Sequence, residues 1–257
     1  MVGRKPKVAI IDYSLGNLFS VKHACEHVGL DGFITSARAE VLAADAVILP
    51  GVGAYGDAME NLDKLDLIGP LRDIAQSDKP LIGICLGQQL LMTESYEFGR
   101  HKGLGIFDGP VVRFDNPRGS ERILKVPQVG WNRIHPPHDS QSANQPGAQA
   151  TGSPSLALRA GCASGSDPWA GTPLEGIPDG ECMYFVHSFY VQPSDPGVAL
   201  STTRYGHIDF CSSLRRRNVV SFQYHPERSG VMGMKIYENL SALIHSQTLA
   251  EETSHAA

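Results

Sequence analysis

A cysteine framed by glycines has the clearest chemical potential of any residue in this chain. Cys85 follows the apolar run 80–84 in the pattern Gly-x-Cys-x-Gly, and a predicted helix from residue 86 has apolar residues at helical spacing through Leu90, Leu91 and Met92. The pattern predicts a nucleophile elbow, a tight turn from a strand into a helix that exposes the reactive side chain. Unpaired N–H groups at the start of a helix favour the thiolate, which is the nucleophilic form. The other interpretation is a buried structural cysteine, so a general base must be found to decide.

A histidine and a glutamate near the end of the chain could supply that base. His225 follows a predicted strand at 219–224, and Glu227 comes two residues later, across Pro226. A carboxylate on one ring nitrogen of an imidazole fixes its tautomer and leaves the other nitrogen to take a thiol proton. We therefore predict a catalytic triad of Cys85, His225 and Glu227.

The elements that would position this triad alternate along the chain. Buried strands alternating with helices indicate an α/β fold, with a mostly parallel sheet covered by helices on both faces and an antiparallel extension from residue 105 onward. Sites in such folds lie beyond the carboxyl ends of the strands, where the Cys85 turn and the loop 50–53 are both expected. Strands are predicted at 7–12, 33–34, 46–49, 80–84, 105–114, 126–134, 182–191 and 219–224, and helices at 20–27, 57–62, 68–76 and 230–244.

Composition indicates one domain with an interruption. The chain has 257 residues, of which 42% are hydrophobic and 19% charged, as in a globular enzyme. We predict a single domain over 1–245, interrupted at 138–180 by a mobile insertion that is rich in Gly, Pro and Ser. A rigid lid, supported by its few large apolar residues such as Trp169, is the alternative. The polar residues 246–257 are expected to form a frayed tail.

Charge and cysteine content argue against several classes of protein. The net charge is −5, and the short basic run 215–217 is more typical of a solvated hairpin or loop than of a nucleic-acid site. No apolar stretch approaches the about 18 residues of a membrane span, and the N-terminus lacks a signal-peptide core, so a cytoplasmic location is expected. Five scattered cysteines without Cys-x-x-Cys suggest neither a disulfide framework nor a zinc site. We expect no metal, cofactor, nucleic-acid or membrane partner.

Several motifs together resemble a known family. Gly-x-Cys-x-Gly-x-Gln after a strand, with His-Pro-Glu near the end of the chain, is similar to the class I (triad) glutamine amidotransferases, whose fold is flavodoxin-like. Within that class the chain resembles the glutaminase subunit of imidazole glycerol phosphate synthase, over nearly all of its length outside 138–180. The segments that carry this closer resemblance are Asp12-Tyr13-x-x-Gly16-Asn17, Pro50-Gly51-Val52-Gly53, Gly130-Trp131-Asn132, Tyr184-Phe185-Val186-His187-Ser188 and Gln223-Tyr224-His225-Pro226-Glu227.

The resemblance implies roles for individual residues. It makes Cys85 the nucleophile, His225 the base and Glu227 the group that orients the base. Glu97 matches the position that receives the ammonium group of glutamine, and Gln89 lies one helical turn after Cys85, on the same face. The implied oxyanion donors are the backbone N–H groups of Val52 and Leu86. The remaining implied substrate contacts are backbone groups of His187, Ser188 and Phe189.

The candidate contacts with a partner are Lys125, Trp131 and Asn132. The alternative for these three residues is an ordinary surface strand.

The implied reaction is hydrolysis of L-glutamine through a γ-glutamyl thioester. The ammonia would pass to a cyclase subunit with a (βα)8 barrel, in a heterodimer that forms imidazole glycerol phosphate and aminoimidazole carboxamide ribotide in histidine biosynthesis. Two features depart from the family: Gln128-Val129 replaces the usual His-Met, and an insertion follows Ile134. Three alternatives stay open: a glutaminase for another synthase, a hydrolase of γ-glutamyl peptides, and a binding subunit without activity, which the complete triad disfavours.

Overall fold

The computed structural model describes residues 4–119, 123–137 and 167–255, which contain thirteen strands and six α-helices. The strands are β1 (Lys7–Ile11), β2 (Asp31–Thr35), β3 (Ala46–Gly51), β4 (Leu81–Cys85), β5 (Met92–Ser95), β6 (His101–Lys102), β7 (Phe107–Arg113), β8 (Gln128–Arg133), β9 (Cys182–His187), β10 (Phe189–Val191), β11 (Ala199–Tyr205), β12 (Ile208–Arg216) and β13 (Val219–Phe222). The helices are α1 (Leu18–His27), α2 (Arg38–Ala43), α3 (Tyr55–Lys64), α4 (Ile68–Gln76), α5 (Leu86–Leu90) and α6 (Gly230–His255).

Eleven of these strands form one mixed sheet. Their order is β2-β1-β3-β4-β13-β12-β10-β7-β5-β6, with β11 paired to β12. The pairings from β2 to β13 are parallel, and those from β13 through β12 and β10 to β7 are antiparallel. Strands β8 and β9 form a separate antiparallel pair. The predicted α/β class, a mostly parallel arrangement with an antiparallel extension, is therefore confirmed.

Both faces of the parallel part are buried. Along β1, Val8 and Ile10 belong to one hydrophobic core, whereas Ala9 and Ile11 belong to a second core. Because successive side chains of a strand point to opposite faces, the two cores lie on opposite sides of the sheet. Buried residues of α1 and α6 complete the first core, and those of α2, α3 and α4 complete the second. Burial on both faces explains why these strands have continuous apolar sequences.

Strand register brings the predicted catalytic segments to one edge. Gly51 at the end of β3 pairs with Cys85 at the end of β4, and Ile84 pairs with Phe222 at the end of β13. The loop after Gly51, the turn at Cys85 and the segment after Phe222 therefore all leave the sheet at its carboxyl edge, as ligand sites of parallel α/β folds do.

The end of the predicted insertion is packed into the domain. Residues 138–166 lie outside the described residues, so mobility there stays a prediction. In 167–180, however, Trp169 is only 1% exposed and its Nε1 donates to the carbonyl oxygen of Leu200 at 2.8 Å, while Leu174 and Ile177 join the same core. The boundary predicted at residue 180 is therefore wrong, because a few large apolar side chains in 167–180 bury enough surface to order a segment of otherwise polar composition.

The closing helix is longer than predicted. The predicted frayed tail begins at residue 246, yet α6 continues to His255, and Thr248 is buried with its hydroxyl donating to the carbonyl of Ile244. The stretch 246–255 contains no Gly or Pro, and Leu249, Ala250 and two glutamates are strong helix formers. Nothing in this sequence stops the helix, so the end predicted at 245 is wrong.

Trp169→Ala is expected to lower the free energy of unfolding by about 3–5 kcal/mol, because it removes a fully buried ring and its hydrogen bond. Denaturant unfolding, followed by circular dichroism, measures the loss. The matched control is Trp131→Ala, since Trp131 is 58% exposed and its loss should cost less than about 1 kcal/mol. Equal losses for the two variants would contradict the packed position of 167–180.

Candidate active site

Cys85 sits on a strained turn between a strand and a helix. It is the last residue of β4, it has φ 56° and ψ −110°, and α5 begins at the next residue. A residue other than glycine seldom adopts a positive φ, and such strain persists where the surrounding structure enforces it. Gly87 permits the turn, because a Cβ there would lie 1.7 Å from the carbonyl oxygen of Leu49 in β3. The geometry is that of the predicted nucleophile elbow.

The helix after the cysteine is shorter than the sequence pattern predicts. Helix α5 ends at Leu90, and Met92, which was expected to be helical, begins β5. A helix of this length has a small dipole, so the thiolate depends on other neighbours for most of its stabilisation.

The buried pair of His225 and Glu227 lies next to Cys85. The two side chains are 4% and 1% exposed, and His225 Nδ1 is 2.8 Å from Glu227 Oε1. Because a carboxylate accepts only, Nδ1 carries the proton in this bond, and Nε2 is left for proton transfer. Pro226 between them begins a short 3-10 turn, which brings both side chains to the same side of the chain.

Nearby charges make His225 an unusually strong base. Burial lowers the pKa of its imidazole, but the adjacent Cys85 sulfur and the Glu227 carboxylate raise it by more, to about 10. At neutral pH the ring is therefore cationic, and it lies beside the sulfur of Cys85. A thiolate beside an imidazolium is the reactive state of a cysteine nucleophile.

Backbone contacts hold His225 in place. Its N–H donates to the carbonyl oxygen of Tyr184 in β9 at 3.0 Å, and its own carbonyl accepts from the Ser229 hydroxyl at 2.7 Å. The same hydroxyl accepts from the N–H of Tyr184 at 3.0 Å. Two of these hydrogen bonds tie the histidine turn to the two-stranded sheet, and the third lies within the turn.

A cavity of about 260 Å³ opens at Cys85. It contains every residue predicted to contact substrate or the oxyanion, so the structure brings these positions together. Pro127 and Val186, to which the sequence assigned no role, also border it. The predicted members are Val52, Leu86, Gln89, Glu97, His187, Ser188 and Phe189.

Two polar side chains of the cavity are held by neighbouring backbone. Glu97 accepts a hydrogen bond from the N–H of Tyr55, the first residue of α3, at 2.5 Å. Gln89 donates through Nε2 to the carbonyl oxygen of Phe189 at 3.0 Å. A carboxylate held in the lining of the cavity suits a ligand that carries a cationic group as well as its reacting carbon.

Comparison with known proteins identifies the family. The sequence profile described as "Glutamine amidotransferase class-I" matches residues 9–242. The chain belongs to this family.

Two relatives narrow the assignment within the class I glutamine amidotransferases. The chain is 38% identical over 235 residues to the imidazole glycerol phosphate synthase subunit HisH of Geobacter metallireducens, covering 91% of this chain and 97% of that protein. It is 40% identical over 234 residues to the HisH subunit of Aquifex aeolicus, covering 91% and 95%. These relatives confirm the resemblance seen in the motifs, and their names are those of a subunit that works with a partner.

Solved structures support the fold of this amidotransferase. The crystal structure of a putative GMP synthase subunit from Thermoplasma acidophilum has a TM-score of 0.61 at 16% identity, covering 97% of this chain and 99% of that one. A structure described as a glutamine amidotransferase has a TM-score of 0.62 at 15% identity, covering 93% and 98%.

The residues predicted to contact a partner lie on or near the small sheet of the amidotransferase. Trp131 in β8 is 58% exposed, with its ring edge-on to Tyr184, and Lys125 is exposed shortly before that strand. Asn132 donates from its side chain to the carbonyl of Arg204, so part of its polar capacity is used within the chain. A role of these three residues in partner contact stays a prediction.

Within the described parts of the chain, no helix combines the length and the apolar character that a membrane span needs.

The side chain of His187 was missed, because the sequence pointed only to its backbone. The ring is buried against Phe114, Phe185 and Phe210, and its Nδ1–H donates to the carbonyl oxygen of Phe189 at 2.8 Å. Burial and the neighbouring cationic His225 together lower its pKa to about 4, despite that hydrogen bond. His187 is therefore neutral wherever the enzyme is folded near neutral pH.

This depressed pKa predicts an acid-sensitive fold. An unfolded histidine binds a proton below about pH 6.5, whereas folded His187 resists protonation down to about pH 4. The contribution of His187 to the free energy of unfolding is therefore fully present above pH 6.5. It is lost as the pH falls through 4, and the loss amounts to about 3 kcal/mol. In His187→Phe the free energy of unfolding should fall less steeply between pH 6.5 and 4 than in the wild type. Identical slopes in the two proteins would refute this assignment.

Proposed function

We propose that this chain is the glutaminase subunit of an imidazole glycerol phosphate synthase, which hydrolyses L-glutamine to glutamate and ammonia. The observation that carries the proposal is the position of Cys85, on an elbow that opens into the cavity and beside the buried pair of His225 and Glu227. The identity of 38–40% to HisH subunits over nine-tenths of the chain supports this choice of synthase.

Substrate binding is assigned to the polar rim of the cavity. Glu97 receives the ammonium group of glutamine, since its carboxylate is the acidic side chain in the described lining. Gln89 contacts the same amino-acid end, and backbone groups of His187, Ser188 and Phe189 flank the side chain of the substrate. This arrangement leads the carboxamide carbon to the sulfur of Cys85.

The first half of the reaction forms a thioester. The Cys85 thiolate attacks the carboxamide carbon, and the carbonyl oxygen becomes an oxyanion that accepts hydrogen bonds from the backbone N–H groups of Val52 and Leu86. His225 gives its proton to the amide nitrogen as the carbon–nitrogen bond breaks. Ammonia leaves, and a γ-glutamyl thioester stays on Cys85.

The second half returns the enzyme to its starting state. Neutral His225 takes a proton from water as the water oxygen attacks the thioester carbon, and Glu227 stabilises the cation that results. The carbon–sulfur bond then breaks, so that glutamic acid is released and the thiolate beside an imidazolium is restored. The acid ionises in solution.

The ammonia is passed to a cyclase subunit with a (βα)8 barrel, in a heterodimer. Free ammonia is protonated in bulk water and loses its nucleophilicity, so direct transfer protects it. Exposed Trp131 and its neighbours Lys125 and Asn132 are the proposed contacts on this side.

The four cysteines of the described residues are free, which accords with a cytoplasmic location.

Purification of the chain from its own cells tests the proposed function. We expect a barrel-type cyclase to copurify, identified by mass spectrometry, and the pair to form imidazole glycerol phosphate from glutamine. A different synthase as the bound partner would assign the chain to another pathway. Rapid hydrolysis of bulky γ-glutamyl peptides by the isolated chain would instead identify a peptide hydrolase.

A further inference from the structure

Gln223 is a fully buried polar residue close to the nucleophile. It directly follows β13, it is 0% exposed, and its N–H donates to the carbonyl oxygen of Ser212 in β12 at 2.8 Å. Its side-chain Nε2 lies 3.8 Å from the sulfur of Cys85, which is hydrogen-bond distance for sulfur. The mechanism described above uses neither end of this amide.

A neighbouring amide fixes the orientation of Gln223. Gln89 Nε2 donates to the carbonyl oxygen of Phe189 and to Oε1 of Gln223, both at 3.0 Å. A main-chain carbonyl can only accept, so Gln89 must present its NH2 group there. The second N–H of that group then requires an oxygen from Gln223. The Oε1 of Gln223 therefore faces Gln89, and its NH2 group faces the sulfur.

We propose that Gln223 is a positioning residue that donates a hydrogen bond to the sulfur of Cys85, in an orientation set by Gln89 and the Phe189 carbonyl. The inference rests on the proposed function in taking Cys85 as the nucleophile. A donor at this position favours the thiolate over the thiol, because it bonds more strongly to a charged acceptor. It supplies stabilisation that the short helix α5 cannot.

These hydrogen bonds, which run from the Phe189 carbonyl through Gln89 and Gln223 to the sulfur of Cys85, form a relay. The relay also determines which atom of Gln89 can contact a substrate. Both N–H groups of its amide are used within the protein, so only Oε1 can make a further contact. An oxygen acceptor complements the ammonium group of an amino acid, as does the carboxylate of Glu97. The relay therefore favours a ligand whose cationic group contacts Gln89 and Glu97.

The pH dependence of Cys85 alkylation by iodoacetamide tests the relay, since only the thiolate reacts. Labelling is followed by mass spectrometry at the Cys85 peptide, because Cys182 is partly exposed and also free. In Gln223→Met the midpoint should rise by about 1 pH unit, the scale of one hydrogen bond to a charged group. The titratable groups that interact with the sulfur, His225 and Tyr13, are unchanged in this variant.

Two further Gln→Met substitutions complete the test. Gln89→Met frees the amide of Gln223 to turn, so the midpoint should rise by less than in Gln223→Met, and the KM for glutamine should increase. Gln88→Met is the matched control, because Gln88 is equally buried and its amide has no hydrogen-bond partner among the described residues. Its midpoint should equal that of the wild type.

An unchanged midpoint in Gln223→Met, with an unfolding temperature near that of the wild type, would overturn the relay. If that variant does not fold, Gln89→Met decides: a raised midpoint supports the relay, and a wild-type midpoint overturns it. Alkylation does not require turnover, so the result is independent of the proposed function. Absence of glutaminase activity in the wild type would refute that function and leave the alkylation result standing.

Discussion

Cys85→Ser is expected to abolish glutamine-dependent synthesis by the assembled enzyme and to leave ammonia-dependent synthesis nearly unchanged. The serine hydroxyl keeps the shape of the site, but it is a far weaker nucleophile beside the same base. Loss of one member of a catalytic triad typically lowers turnover by at least about 10⁴-fold. Ammonium salts bypass the glutaminase step, since they supply the partner's own substrate directly.

Parallel assays of the purified pair with glutamine and with ammonium chloride measure this separation. The control is Cys182→Ser, because Cys182 is a free cysteine at the start of β9 and lies outside the cavity lining. It should retain both activities. Loss of both activities in Cys85→Ser would contradict the division of labour between the two subunits.

The second large effect is activation by the partner. The isolated chain should hydrolyse glutamine slowly, and the cyclase with its nucleotide ligand should raise kcat by at least about 10²-fold. The reason lies in the loop after β3, where Val52 is 41% exposed at the cavity and Gly53 has a φ of 99°. A loop with an exposed side chain and a glycine in the left-handed region can change its peptide orientation at small cost.

The expected size follows from the oxyanion hole. One missing oxyanion donor lowers turnover by about 10²–10³-fold, so reorientation of the Val52 N–H alone accounts for the effect. Such a contact forms only in the transition state, and it should therefore change kcat more than KM. Steady-state assays of the chain alone, with cyclase, and with cyclase plus ligand make the comparison. Equal kcat in all three states would refute activation by the partner, and it would leave the assignment of the catalytic triad unaffected.

The parallel half of the fold and the position of the site could be predicted from the sequence. Strands β1, β3 and β4 contain continuous apolar runs, and β13 is apolar except for Ser221, because both faces of these strands are buried. Since parallel strands end at one edge, the residues after them had to meet, and Cys85, His225 and Glu227 do.

The hairpin of β11 and β12 could not be predicted from hydrophobic pattern. Four polar residues of this hairpin are buried: Ser201, Thr203, Ser212 and Ser213. The Ser201 hydroxyl bonds to the hydroxyls of Ser212 and Ser213 at 2.9 and 2.6 Å, so these groups satisfy one another. Pairing of this kind depends on register between two strands, which a hydropathy pattern does not contain.

Long-range contacts explain the other differences. Trp169 is buried through its contact with the strand that carries Leu200, whereas the composition around it resembles a linker. The orientation of Gln223 depends on Gln89 and Phe189, which are more than thirty residues away in sequence. Neither the burial of Trp169 nor the orientation of Gln223 can be recognised from the residues that adjoin them in the sequence.

Trapping of the acyl-enzyme tests the central claim most directly. The chain, with its cyclase and ligand, is mixed with glutamine, quenched in acid within the first turnovers and mapped by mass spectrometry. The mechanism predicts a γ-glutamyl group on the peptide that contains Cys85, which hydroxylamine removes and which Cys85→Ser does not form. Glutamine turnover at full rate in Cys85→Ser, or a glutamyl group on another residue, would contradict Cys85 as the nucleophile.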